Sequence, residues 1–151
     1  MAGVLTIRPA RPDERPMLIG LQRQASLMWE EDREALLAEP HVIDVPSDQI
    51  AEGRVHVCEL DGVVAGFSVV LPRADGSAEL DGLFVDPAAW RQGIGRWLVN
   101  HCEAVARETG ASRLNVVANK RAAGFYLACG FEVLGEVPTQ FSTAWSMAKA
   151  L

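Results

Sequence analysis

Apolar positions change period along this chain, and the changes mark its elements. Leu5, Ile7 and Ala10 flank Arg8 in an extended start that Pro9 and Pro12 interrupt, so a first strand is expected over residues 4–8. Met17, Leu18, Leu21, Ala25 and Met28 then recur at spacings of one, three and four. They predict a helix with one apolar face, capped by Asp13 and ending near Trp29. The stretch Glu30, Glu31, Asp32, Arg33, Glu34 leads into a short helix that must stop near Pro40, because proline disfavours helical geometry in the residue before it. Residues 41–47 carry no clear period. Ser47, Ile50 and Glu52 predict one more helical turn ahead of Gly53.

From Arg54 the pattern turns to strands. RVHVCEL is followed, after Asp61-Gly62, by VVAGFSVVL and, after Asp75-Gly76, by SAELDGLFV, which reads as an antiparallel meander. Gly66 and Gly82 inside these strands point to bulges or close backbone approach. Residues 93–108 group Ile94, Leu98, His101, Cys102, Val105 and Ala106 at helical spacing, with Gly110 as terminator. RLNVV at 113–117 is the next strand, and Asn119 is placed to cap a helix through Ala128 that Gly130 breaks. FEVLGEV and then STAWSMAKA, at 142–150, close the chain as strands. This order, without an internal repeat, predicts an α+β class. The expected architecture is a single domain over residues 1–151, with a central mixed, largely antiparallel sheet flanked by helices.

A length of 151 residues at 49% hydrophobic composition supports one core and leaves little room for a second. No run of about 18 apolar residues is present, and the start turns charged too early for a secretory signal, so a cytoplasmic protein without membrane contact is expected. The net charge of −6 argues against nucleic acid as a partner. That charge is uneven. Residues 1–75 hold 7 basic and 13 acidic side chains, whereas residues 76–151 hold 7 of each. Cys58, Cys102 and Cys129 are widely spaced and fit buried thiols, while His41, His56 and His101 fall in three different elements, so no metal is expected.

The strongest chemical signal is LDGLFVDPAAWRQGIGRWL, residues 80–98. A strand ends at Val85, Pro87 stops it, and Gly93 and Gly95 lie just ahead of an amphipathic helix. Unpaired N–H groups in such a turn can point at phosphate oxygens, glycine lets the backbone approach closely, and Arg91 and Arg96 add cationic donors. The third glycine of a dinucleotide fingerprint and the Gly-Lys-Ser/Thr of a P-loop are both absent. A plain helix cap is the other reading of the turn.

The turn resembles the signature of the GNAT superfamily of N-acetyltransferases, in which glutamine or arginine precedes two residues, a glycine, one residue, and a glycine or alanine. Gly93 and Gly95 match, whereas Trp90 occupies the glutamine or arginine position and Arg91 and Gln92 are displaced toward the glycines. A second segment, NKRAAGFYLACGF at 119–131, is similar to the other cofactor segment of that family through Asn119, Ala122, Phe125, Tyr126, Gly130 and Phe131. The two segments and the strand leading into them span residues 79–131.

The resemblance implies acetyl-CoA as cosubstrate without a metal, held by backbone amides of Arg91, Gln92, Gly93, Ile94, Gly95 and Arg96, with Asn119 and Tyr126 in the second cofactor segment. It implies a sheet splayed between the strand ending at Val85 and the strand at 113–117. Backbone groups of Leu83, Phe84 and Val85 would pair there with the pantetheine arm like an added strand. Tyr126 matches the frequent general acid, which protonates or hydrogen-bonds the leaving thiolate; its other reading is an aromatic core residue. Glu79 and Asp81 share a strand face, with Leu80 opposite, and either could receive the proton of an attacking ammonium. Some family members carry a catalytic glutamate at the position of Glu79, and others use water.

The expected reaction is direct transfer of an acetyl group to a primary amine, with a backbone N–H near Val85 as oxyanion donor. An acyltransferase for a longer acyl group or an oxygen nucleophile, and a non-catalytic acyl-CoA sensor, are the alternatives. Trp29, Glu30 and Tyr126 are candidates to line the acceptor pocket. The acids Glu30, Glu31, Asp32, Glu34, Glu39, Asp44, Asp48 and Glu52, against Arg33 alone, suggest a cationic acceptor. Homodimers are common in the superfamily, although no interface pattern stands out.

Overall fold

Seven strands lie side by side in the order β1-β2-β3-β4-β5-β7-β6. They are β1 (Leu5–Pro9), β2 (Val55–Leu60), β3 (Val63–Pro72), β4 (Ala78–Val85), β5 (Arg113–Asn119), β6 (Glu132–Pro138) and β7 (Thr143–Ala150). The computed structural model describes residues 3–28, 33, 37–38, 43–139 and 143–151. β1/β2, β2/β3, β5/β7 and β6/β7 are antiparallel, and β4/β5 is parallel, which makes the sheet mixed and largely antiparallel as expected. Four α-helices accompany it among the described residues: α1 (Arg15–Leu27), α2 (Ser47–Ala51), α3 (Ile94–Glu108) and α4 (Ala123–Ala128). None is long and apolar enough to cross a membrane.

The contacts group into two units, one of Met1–Val69 with Gly82–Leu98 and the other of Val70–Asp81 with Val99–Leu151. In the first, Cys58, Ala65, Ala89, Ile94 and Leu98 form a core cluster packed by Leu5, Ile7, Leu83, Val85 and Trp97. Gly66 is required there. A Cβ on it would lie 2.7 Å from the Phe84 carbonyl oxygen, inside any real contact, so the close approach read from the sequence is present at this position. The bulge in this meander lies on β3 beside that glycine: from Cys58 to Glu59 the partner moves from Gly66 to Val64, which leaves Ala65 as the extra residue. Asp61 and Gly62 both take positive φ in the turn that follows, as a two-residue hairpin demands.

The expected cap of α1 is corrected. Asp13 lies inside a 3-10 turn, Pro12–Glu14, and Glu14, which makes no side-chain cap bond, precedes the helix. Glu14 instead serves the tertiary structure. Its carboxylate is 7% exposed and accepts from Arg8 Nη1 and Nη2 at 2.8 and 2.7 Å, while the Arg11 N–H donates to it at 2.8 Å. Arg8 also donates through Nε to Glu59 at 2.6 Å, which ties β1, β2 and the 3-10 turn together.

The Arg8 hydrogen bonds hold the Glu14 carboxyl down at about 2, below its ordinary 4.5, against the opposing pull of burial. Its contribution is therefore whole above about pH 4.5 and is lost as pH falls toward 2. Glu14→Gln is expected to cost about 2 kcal/mol at pH 7, lowering Tm by roughly 4–8 °C, because charge-assisted bonds to a fixed guanidinium become neutral ones. The difference between variant and parent in calorimetry should shrink as pH is lowered toward 2. A constant difference across that range would show that the pair contributes packing alone.

In the second unit, Leu114, Val116, Ala118, Met147, Cys102 and Ala106 are buried. α3 stops as Gly110 takes φ 84° and the Ala111 N–H returns to the Ala106 carbonyl at 3.1 Å. Lys149 donates to the Cys129 carbonyl at 2.8 Å and pairs with buried Glu103 at 2.9 Å. The expected cap by Asn119 is also corrected. Asn119 ends β5, makes no side-chain cap bond, and leads into a 3-10 turn, Lys120–Ala122, from which α4 starts. The helix expected over 30–40 is described only at Arg33 and at Leu37 and Ala38, which are helical. The ends expected at Trp29 and Pro40, and Ser142 at the start of the last strand, lie outside the described residues.

Candidate active site

The first unit supplies the end of β4 and the turn into α3. The parallel register of β4 with β5 covers three residue pairs, from Ala78–Leu114 to Leu80–Val116, and does not reach Leu83, Phe84 and Val85, which are half-buried. Beyond Val85 the chain is pinned at several points. The Asp86 N–H donates to the Ala65 carbonyl at 2.8 Å, and its Oδ1 accepts from the Ala88 N–H at 2.9 Å, capping a 3-10 turn over Pro87–Ala89. The Trp90 indole Nε1–H donates to the Val85 carbonyl at 2.7 Å. This bond gives Trp90 a place in the loop that needs neither glutamine nor arginine: it ties the loop back to the strand end.

Arg91 then adopts φ 66° and Gly93 φ 80°, two left-handed residues that turn the chain into α3. The first intrahelical bond runs from the Trp97 N–H to the Gly93 carbonyl at 3.1 Å. The amides of Ile94, Gly95 and Arg96 precede it, among the N–H groups that a helix start cannot satisfy internally. Ile94 is buried and anchors the helix, while Arg91, Gln92, Gly93 and Arg96 are exposed. A solvent-facing turn with helix-start donors and two guanidinium groups can receive a polyanion.

Within the second unit lie Glu79, Asp81 and Tyr126. Leu80 is buried and Asp81 exposed, so the alternation expected for β4 is present, and Glu79 lies beside Asn115 in the register with β5. Glu79 is paired with Arg73, at the start of the β3–β4 connection. The sequence offered no sign of that partner. Tyr126 is 7% exposed, with its ring edge-on to Phe125 and Phe131 at centroid distances of 5.1 and 5.4 Å. Burial, aided by the neighbouring Cys102 and Cys129, pushes its phenol well above the ordinary value, so it stays protonated throughout the neutral range. Asn119 is exposed.

All three cysteines are buried thiols outside any disulfide, and burial raises that of Cys58 to about 11. Burial also lowers the His101 imidazole below its ordinary value, while His41 lies outside the described residues. Among the described residues no group of three or more His, Cys, Asp or Glu is placed to hold a metal.

A feature absent from the sequence reading lies in the first unit. The end of α1 (Gln24, Leu27, Met28), Arg33, Leu37 and the turn Asp86–Ala88 line a pocket of about 550 Å³. Leu27 and Met28 fall one after the other, so the helical period placed only one of them on the core face. Of the residues expected to line an acceptor pocket, Trp29 and Glu30 lie outside the described residues, as do Glu31, Asp32, Glu34 and Glu39 of the acidic set. Asp44 is engaged by Arg15 at 2.6 Å.

The chain is similar over nearly its whole length to solved acetyltransferases. PaiA N-acetyltransferase from Thermoplasma acidophilum, solved with coenzyme A, matches with a TM-score of 0.79 at 20% identity, covering 98% of this chain and 99% of that one. YncA from Salmonella typhimurium, solved with acetyl-CoA as its cofactor, gives 0.71 at 23% identity over 97% and 94% of the two chains. The ribosomal-protein-S18-alanine N-acetyltransferase from Escherichia coli gives 0.71 at 22% identity with the same coverage. These likenesses establish the fold. No curated protein matches the sequence. The family model for the acetyltransferase (GNAT) family matches residues 21–131, which takes in the end of α1, the whole of β4, the left-handed turn and Tyr126. With most of the chain matched, it belongs to the acetyltransferase (GNAT) family.

Proposed function

We propose that this protein transfers the acetyl group of acetyl-CoA directly to a primary amine. The observation that carries the reading is the end of β4. Its pairing with β5 stops at Leu80, and five further strand residues run on to the left-handed turn at Arg91 and Gly93. In this reading the backbone of Leu83, Phe84 and Val85 receives the amides of the pantetheine arm as an added strand. The amides from Arg91 to Arg96 receive the pyrophosphate, with the two guanidinium groups at its edges. Asn119 is assigned to the cofactor on the family pattern alone.

The neutral amine attacks the thioester carbonyl carbon, a C–N bond forms, the C–S bond breaks, and the electron pair leaves on sulfur. A backbone N–H near Val85 stabilises the developing oxyanion. Tyr126 acts on the sulfur. A thiol ionises near about 8.5, and the Tyr126 phenol lies far above that, so full proton transfer to the thiolate runs uphill. Tyr126 therefore stabilises the leaving group by donating a hydrogen bond, and solvent completes the protonation. Glu79 takes the proton that the ammonium loses before attack, with Asp81 on the same face as the alternative base, and water takes the second proton that the nitrogen sheds once the C–N bond has formed.

The reading is tested by presenting the purified protein with acetyl-CoA and panels of small amines, amino acids and peptide amines, and measuring acetylated product. Glu79→Gln is expected to lower kcat/KM about tenfold or more at pH values where the acceptor is mainly ammonium, and less at higher pH. Asp81→Asn should leave the profile unchanged. The reverse result would move the base to Asp81, and two unchanged profiles would leave the proton to water.

A further inference from the structure

The contact between Arg73 and Glu79 stands on a part of the second unit that hydrogen bonds hold closely. The Arg73 N–H closes the β3–β4 connection by donating to the Ser77 carbonyl at 2.9 Å. Asp75 Oδ1 accepts from the Ser77 N–H and Oγ at 3.0 and 2.6 Å, and Gly76 takes the positive φ of 83° that the reversal needs. Ser77 is buried, and its Oγ also accepts from Asn115 Nδ2 at 3.2 Å, which ties the turn to β5 at the residue paired with Glu79. Both members of the ion pair therefore start from backbone with little freedom.

The two carboxylates of this strand face are treated unequally. Arg73 Nη2 meets Glu79 Oε2, whereas Asp81 is exposed and has no ion-pair partner among the described residues. At 47% and 23% exposure, Arg73 and Glu79 remain within reach of water, where an ion pair contributes little to stability. Its effect is on direction. A glutamate turning freely about χ1 and χ2 has about nine staggered combinations, so it spends roughly a tenth of its time in any one of them. A guanidinium fixed beside it selects those that reach it, and a carboxylate has acceptor positions beyond the ones that such a contact uses.

We propose that Arg73 is a positioning residue, which holds Glu79 in one orientation as the base and so directs the proton to Glu79 and not to Asp81. The proposal rests on the amine-acetylating reading above and selects between its two candidate bases. Two effects of Arg73 have opposite sign. Its charge opposes an arriving ammonium, and its contact keeps the carboxylate in place. Water weakens the first at a half-exposed side chain, whereas the second bears on the reacting geometry, where a small misplacement is costly. Orientation therefore dominates kcat, and KM feels only the repulsion.

The test measures kcat and KM at about pH 8 for ethylamine and for glycinamide, a weaker base, in the parent and in Arg73→Gln, Arg73→Lys, Glu79→Gln and the double variant with both glutamines. Arg73→Gln is expected to lower kcat for ethylamine about fivefold, inside the roughly tenfold limit set by the rotamers, with KM unchanged or lower and Tm within about 2 °C of the parent. The loss should be smaller for glycinamide, less of which is ammonium, because Arg73 acts only through the base. Arg73→Lys, which keeps the charge, should recover most of the loss, and the double variant should be no slower than Glu79→Gln alone. A fall in kcat joined to a rise in KM, an equal loss for both amines, or a further loss in the double variant would overturn the proposal. So would parent rates in Arg73→Gln; with Glu79→Gln still impaired, Glu79 then remains the base without a positioning partner.

NMR relaxation of the Arg73 Nε–H reads the pair without turnover. An ordered Nε–H in the parent that becomes mobile in Glu79→Ala supports the positioning of Glu79 by Arg73 even if neither amine is acetylated, in which case the transferase reading alone fails. A mobile Nε–H in the parent overturns the proposal whatever the rates.

Discussion

Replacing Tyr126 by phenylalanine is expected to lower kcat about 100-fold while leaving the affinity for acetyl-CoA within about twofold of the parent. The ring stays where it is, because its edge-on contacts with Phe125 and Phe131 involve no hydroxyl. In the proposed mechanism, what is lost is one donor to charge that exists only as the C–S bond breaks. An interaction made in the transition state and not in the ground state appears in kcat and not in binding. Because burial keeps the phenol protonated far above neutrality, the parent should show no loss of activity from Tyr126 ionisation anywhere between pH 6 and about 10, the ordinary phenol value. Single-turnover rates separate this effect from product release. Equal single-turnover rates in the two proteins would return Tyr126 to a packing role.

Arg91→Glu is expected to weaken acetyl-CoA binding about 30-fold or more with Tm shifted by no more than about 2 °C. The side chain is exposed and its φ of 66° is one that arginine and glutamate tolerate to the same degree, so the fold has little to lose. A phosphate site at this turn, as proposed, would lose a charge-assisted donor and gain an anion, two changes of the same sign. The loss should be smaller at high salt, because screening shortens the reach of both charges. Calorimetric titration with coenzyme A at two ionic strengths measures it. Unchanged affinity in a folded variant would remove Arg91 from the phosphate site and leave binding to the amides alone.

The contrast between what was legible in the sequence and what was not follows the range of the interactions. The strands of the meander, the turn at Asp61-Gly62, the end of α3 at Gly110 and the close approach at Gly66 were readable because period, chain reversal and missing Cβ atoms are written locally. The glycine turn was readable for the same reason. Asp13 and Asn119 misled because a 3-10 turn precedes each helix, with Asp13 inside one turn and Asn119 ahead of the other, a geometry that capping statistics do not separate from an α-helical start. Trp90 looked like a defect in the family pattern until its indole was seen on the Val85 carbonyl. The Arg73–Glu79 pair and the pocket depend on which residues the register and the end of α1 bring together, and no spacing along the chain encodes those meetings.

Passage of the acetyl group from acetyl-CoA to a primary amine in one step, as proposed, fixes a stoichiometry that can be measured. The purified protein is incubated with acetyl-CoA and ethylamine while free thiol and acetylated amine are quantified in the same sample, with a parallel sample lacking the amine. Equal amounts of thiol and acetylated amine, and neither when the amine is omitted, are the predicted result. Thiol released without acetylated amine, or an acetyl group retained on the protein when the amine is absent, would contradict direct transfer.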